Sequence, residues 1–175
     1  MNPLLILRRG MMGKRGKTQR TIKLVPSSYD NVNYEWYSAS DINKGYTSAT
    51  STTYAQIQNA GMGAYAYIIY KFDTSAIPDG ADIVSVNCLV KVSMNGNSTT
   101  TPMKRVQMVS GTTLKGTYSA VTSAVNTRDM DCGDDWTLAE VRDIGVRAMT
   151  RSGSSTVNHY YINFYGATLT IVYEI

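Results

Sequence analysis

The chain has one histidine, two cysteines, four prolines and two phenylalanines in 175 residues, and no acidic residue before Asp30. Each shortage excludes something. His159 stands alone, so no histidine pair can relay protons, and its imidazole reads as satisfied or solvent-facing. Cys88 and Cys132 are too few for a disulfide framework and do not show paired-cysteine zinc spacing. There is no Gly-x-Ser-x-Gly elbow and no His-Glu-x-x-His. Glu35 and Asp41 are isolated carboxylates of the kind any sandwich carries, and a glycosidase pair is not expected of them. No apolar run approaches the roughly 20 residues that span a bilayer. The short PLLIL is followed by Arg8 and Arg9, whereas a signal peptide has its cations in front. These points lead us to expect a non-enzymatic protein with no membrane partner, made and assembled in the cytosol.

What is abundant is positive charge in one place. Arg8, Arg9, Lys14, Arg15, Lys17, Arg20 and Lys23 carry the first 23 residues, while the rest of the chain has ten cations against 13 acids. The net charge of +4 therefore belongs to one segment. LLILRRGMMGKRGKT resembles a strand entering a phosphate loop, but such a loop needs a glycine five positions before Gly16, where Met11 stands. The following TIKLVP is β-branched and ends in Pro26, so it reads as extended rather than helical. Cations spaced by Gly10, Gly13 and Gly16 have no amphipathic period and would be a flexible arm in isolation. A merely solvated tail has no use for Leu4, Leu5, Ile6 and Leu7. The preferred reading is an arm, residues 1–24, that orders along an acidic partner with those four side chains in an apolar groove. Nucleic acid is not the expected partner, because the arm has no aromatic side chains to stack on bases.

From Thr21 onward the hydrophobic period is two. Ala66, Ile68, Tyr70 and Phe72 share one face of AYAYIIYKFD. Val84, Val86, Cys88, Val90 and Val92 alternate in the same way, after a Pro-Asp-Gly turn signal. Further runs lie in MKRVQMVSG, TYSAVTSAV and VRDIGVRAMT, and the chain closes with HYYINFY and ATLTIVYEI. In the closing runs Ile162, Phe164, Leu169, Ile171, Tyr173 and Ile175 are expected to face inward, with Gly166 at a bulge or bend. Only TLAEVRDIG allows a helix, of one or two turns. Seven to nine short strands separated by turns predict an all-β, antiparallel two-sheet jelly-roll sandwich over residues 25–175. Cys88 is expected inside this core and Cys132 in a surface loop, both unpaired.

The block YIIYKFDTSAIPDGADIVSVNCLVKV resembles the core of carbohydrate-binding-module-like jelly rolls. The closing FYGATLTIVYEI is similar to the ending of tailed-bacteriophage virion proteins of that architecture. Together the two blocks cover about 40 of the 175 residues. The resemblance implies a phage structural protein assembled in the host cytoplasm: a head decoration, a neck or collar protein, or a tail-associated one. It would be bound to capsid, connector or tail proteins and to copies of itself. The basic arm, with Lys17 and Arg20 at its end, is the departure from a free carbohydrate-binding module.

Two constellations carry alternatives. Tyr34, Trp36 and Tyr37 offer flat rings of the type that stack on sugars, which would make the protein an adhesin for host-surface glycans; edge or interface packing is the commoner use of such rings. Asp129, Asp131, Asp134 and Asp135 crowd like charges that a Ca²⁺ ion would relieve, or they form a solvated acidic turn. The sixth position from Asp129 is Asp134, where an EF-hand loop has glycine, so that motif is excluded. No other cofactor is expected.

Overall fold

A computed structural model describes residues 16–32, 42–59, 65–95, 105–151 and 160–175. Within them the chain forms the strands β1 (Gln19–Leu24), β2 (Pro26–Val32), β3 (Ala55–Asn59), β4 (Tyr65–Phe72), β5 (Asp82–Asn95), β6 (Arg105–Ser110), β7 (Thr113–Ala120), β8 (Asn126–Met130), β9 (Ile144–Arg151) and β10 (Tyr160–Glu174). A 3-10 turn (Asn43–Gly45) and one short helix, α1 (Leu138–Arg142), complete the elements. One sheet has the order β1-β10-β5-β8, with β3 also paired to β10, and the other has the order β2-β4-β9-β6-β7. Among the described residues every pairing between neighbouring strands is antiparallel. Counted from β3, the strands run first, eighth, third, sixth in one sheet and second, seventh, fourth, fifth in the other. That is the jelly-roll connection pattern, in which the antiparallel pairs 1–8, 2–7, 3–6 and 4–5 fall alternately in the two facing sheets.

The alternation read from the sequence explains most of the core. Ile68, Tyr70 and Phe72 from β4 meet Cys88, Val90 and Val92 from β5 and Ile162, Phe164, Leu169 and Ile171 from β10. Tyr70 stacks on Phe164 across the two sheets, with ring centroids 4.2 Å apart and planes 7° from parallel. Offset stacking of this kind adds about 0.5–1.5 kcal/mol beyond the area buried. The Pro-Asp-Gly signal is a turn closed by the Ala81 N–H donating to the Pro78 carbonyl at 3.3 Å, with Gly80 at φ 81°. Arg142 locks that turn to α1, donating to the carbonyls of Thr74 and Ile77 and to the Asp79 carboxylate at 3.0 Å.

Gly166 does mark a bulge, inside one continuous strand. The register against β5 shifts between Phe164 and Gly166, and Gly166 has φ 144°. The bulge opens the edge of β10 between its β3-paired and β1-paired halves. The segment after the 3-10 turn docks there: the Ala167 N–H donates to the Thr47 carbonyl at 3.0 Å, and Thr47 Oγ1 donates to the Tyr165 carbonyl at 2.7 Å.

Several expectations need correction. NTRDM was not read as a strand, yet it forms β8, because Arg128 and Asp129 satisfy their backbone against β5 at an edge where polar side chains are tolerated. Val84 does not share a face with Val86. A second register shift pairs Ile83 with Tyr173 and Ser85 with Val172, so Ile83 packs on the core and Val84 is left 48% exposed. Ile175, one residue past β10, is exposed rather than inward. Cys132 is not at the surface: it is 5% exposed and packed in the core. Trp136 folds back over the acidic loop and donates its Nε1–H to the Cys132 carbonyl at 2.9 Å, which pulls that residue inward. The arm boundary drawn after residue 24 also falls beyond β1, so residues 19–24 are a strand of the sandwich, with Ile22 and Leu24 packed against the core.

Two outcomes follow. A Cβ on Gly166 would sit 2.4 Å from the Thr47 carbonyl oxygen, in a left-handed backbone region. Gly166→Ala is expected to destabilise the fold by roughly 2–4 kcal/mol in chemical denaturation. Both cysteines are free, and burial pushes the Cys88 thiol well up and the Cys132 thiol up to about 12. A thiol reagent should therefore label neither residue faster than the protein unfolds, even at pH 9. Rapid reaction of one thiol in the native state would refute the burial of that cysteine.

Candidate functional site

The described chain begins at one end of the β1-containing sheet, where three strands finish together. Thr18 and Ile175 exchange backbone hydrogen bonds of 3.0 and 3.1 Å, extending the β1–β10 ladder by one pair. Lys17 reaches past the end of β10 and forms an ion pair with Asp82, the first residue of β5. The hydrogen bond and charge of Asp82, helped by Glu174, raise the Lys17 pKa. Both partners of the pair are more than half exposed, so it orients the chain more than it stabilises it. Arg20 is exposed on β1.

Next to Asp82 lies a cleft of about 430 Å³ lined by Ile83, Val84, Ser85, Val86, Gly133, Asp134, Asp135 and Trp136. The bulge in β5 builds one wall, because it turns Val84 outward. The acidic loop after β8 builds the other. Asp131 shapes this loop, accepting from the Thr117 N–H at 3.0 Å, the Thr117 hydroxyl at 2.7 Å and the Gly133 N–H at 3.0 Å. Those donors stabilise the charged carboxylate and lower its pKa. Gly133 and Gly116 cross where a Cβ on Gly116 would lie 2.2 Å from the Asp131 carbonyl oxygen, so the loop presses directly on β7. Asp135 adopts φ 58°, a conformation that Asp tolerates better than most residues.

Trp136 is held from behind by α1. Thr137 caps the helix with a reciprocal box: the Glu140 N–H donates to Thr137 Oγ1 at 3.2 Å, and the Thr137 N–H donates to Glu140 Oε2 at 2.9 Å. Lys115 from β7 pairs with Glu140 at 2.6 Å and lies 5.0 Å from the centre of the Trp136 ring. The indole is thus clamped between a cation–π contact and its own hydrogen bond to Cys132.

The four aspartates expected to crowd together do not converge. Asp129 sits on β8 and accepts from Asn87 Nδ2 at 2.8 Å. Asp131 is turned into its loop, and Asp134 and Asp135 face solvent at the cleft rim. Among the described residues, no three His, Cys, Asp or Glu side chains form a group able to hold a metal ion. Leu4, Leu5, Ile6, Leu7, Arg8, Arg9, Lys14 and Arg15 of the arm lie outside the described residues. So do the glycan candidates Tyr34, Trp36 and Tyr37, together with Glu35, Asp41 and His159. The exposed aromatic the sequence reading missed is Tyr54, tilted against Tyr165 with centroids 5.0 Å apart, while Lys91 approaches the Tyr165 ring at 5.4 Å. Val84 and Trp136 were also missed as cleft walls. Trp136 had a signal, a lone indole directly after an acidic turn. Val84 had none, since the bulge arises from pairing with β10.

No helix among the described residues is long and apolar enough to cross a membrane. No protein-family model matches the chain, and no curated protein is significantly similar to it.

The clamp on Trp136 gives a pH signature. The Lys115 hydrogen bond, then the Thr137 N–H, hold the Glu140 carboxyl down at about 2 against a usual 4.5. Because the folded value is the lower one, this stabilisation is present above pH 4.5 and is lost as pH falls toward 2. The melting temperature of Glu140→Gln should lie below that of the wild type at pH 6, and the gap should close by pH 2. A gap independent of pH would mean that the carboxylate charge is not what caps the helix.

Proposed function

We propose that this chain is a non-enzymatic structural protein of a tailed-bacteriophage particle, a jelly-roll body attached to other virion proteins by its basic N-terminal arm. The observation that carries this reading is the division of labour along the chain. Strands β3 to β10 supply all eight jelly-roll positions, and β1 joins them only by pairing with β10. Residues 1–15 precede all of these strands and carry Arg8, Arg9, Lys14 and Arg15 with no acid. A body whose eight jelly-roll strands all follow residue 54 leaves a basic beginning of the chain to serve a second surface.

The attachment has two parts. Cations act at long range on an acidic capsid, connector or tail surface, over about 8 Å at physiological salt. Leu4, Leu5, Ile6 and Leu7 then bury apolar area, worth roughly 25 cal/mol per Å². A closed homo-oligomer would join several weak arms into one durable attachment. Head decoration, collar and tail are all served by this mechanism.

Truncation tests it, and the structure sets where to cut. Removing residues 1–15 spares β1 and should leave the protein cooperatively folded, with the melting temperature lowered by no more than about 6 °C. The truncated protein should fail to enter particles, and charge reversal at Arg8, Arg9, Lys14 and Arg15 should weaken entry most at low salt. Normal incorporation of the truncated protein would overturn the arm as anchor. Specific binding of that protein on a glycan array would favour a host-glycan adhesin instead.

A further inference from the structure

We propose that the cleft between the β5 bulge and the acidic loop is the docking site for the chain's own arm, with Leu4, Leu5, Ile6 and Leu7 covering Val84 and the following cations facing Asp134 and Asp135. Three independent observations meet at this place. The first is where the outside chain starts. Lys17 is tied to Asp82, and the next residue, Ile83, already lines the cleft. The described residues therefore start beside the cleft, and the 15 residues before Gly16 join the chain there.

The second observation is reach. Ten peptide units separate Lys17 from Leu7, which span at most about 33–36 Å when extended and about 16–19 Å on average as a flexible coil. Gly10, Gly13 and Gly16 give that connector the freedom to turn back. At such a tether length the local concentration of the arm at its own cleft is of order millimolar, so weak contacts suffice to keep it there.

The third is complementarity. Val84 is 48% exposed beside partly buried Ile83 and Val86 and buried Trp136, an apolar strip in a cleft whose lining is otherwise mostly polar, and it has no cover among the described residues. Asp134 and Asp135 at its rim have no ion pair or hydrogen bond among the described residues, and Asp82 and Glu174 add negative charge beside the exit. The arm has the matching order, four apolar residues and then Arg8 and Arg9. An occupant that enters with its apolar end in the cleft places those cations at the rim. Docked in this way, the arm shields its apolar tetrad in the free protein and can be released to a surface that offers more charge and area. The docking itself belongs to the isolated chain and stands or falls independently of the virion reading.

The test uses the full-length chain at low concentration. With the photo-crosslinker benzoylphenylalanine in place of Leu5, irradiation should give products in the monomer band, and mass spectrometry should map them to residues 83–86 or 133–136. Trypsin cleavage after Arg8 and Arg9 should be slow in the wild type. It should rise on the order of tenfold in the double variant Asp134→Lys with Asp135→Asn, because cleavage reads the undocked fraction. Asn is chosen at 135 because it tolerates the left-handed backbone there. An unchanged melting temperature of the variant keeps the comparison valid, and addition of 0.5 M salt should reproduce the faster cleavage. Crosslinks confined to a dimer band would place the arm on a second copy and overturn docking in cis. Crosslinks elsewhere on the body, or equal cleavage of wild type and variant, would overturn the cleft as the site.

Discussion

The pairing of β10 organises this protein. Tyr160–Glu174 is hydrogen-bonded to β5 along one edge and to β3 and then β1 along the other, so four of the five strands in its sheet are placed by it or by its immediate neighbour. A straight strand of 15 residues would carry one phase of side chains from end to end and could not pair with two short strands in tandem while admitting a loop between them. The bulge at Gly166 solves that. It resets the register, keeps Phe164 and Ala167 both inward, and opens backbone groups that Thr47 satisfies. A buried edge left unpaired there would cost more than the bulge does.

The same economy shapes the arm end. The second register shift of β10 against β5 is the reason that Val84 faces outward, so an irregularity in the central pairing creates the apolar wall of the cleft. The opposite wall depends on a different set of forces: Asp131 accepting three hydrogen bonds, Gly116 meeting Gly133, and the indole of Trp136 pinned by Lys115 and Cys132. One presents Val84 and the other is acidic. That combination suits recognition of a basic, apolar peptide, and the chain carries such a peptide at its own beginning.

The fold was legible because β-strand periodicity is a local property. Ile68, Tyr70 and Phe72 of β4 and most of the residues expected inside in β10 are inside, since a one-residue slip would bring polar side chains into the core. The helix over TLAEVRDIG was legible for a similar reason: its capping box is written in four consecutive residues. The short strand β8 was not, because an edge strand beside a long neighbour needs little apolar content of its own.

The candidate site was legible only in its charges. The sequence alone determined that cations collect before residue 24, that acids collect near residue 131, and that two apolar phases would close a sandwich, because composition and alternation need no partner to be read. Only the tertiary structure decided that Val84 faces out and Cys132 in, that the four aspartates part company, and that the chain's exit and its acidic loop share one end. Those facts depend on which residues of β10 meet which of β5. Register between strands almost 80 residues apart is settled by the packing of the whole core, not by any stretch of chain within reach of its neighbours.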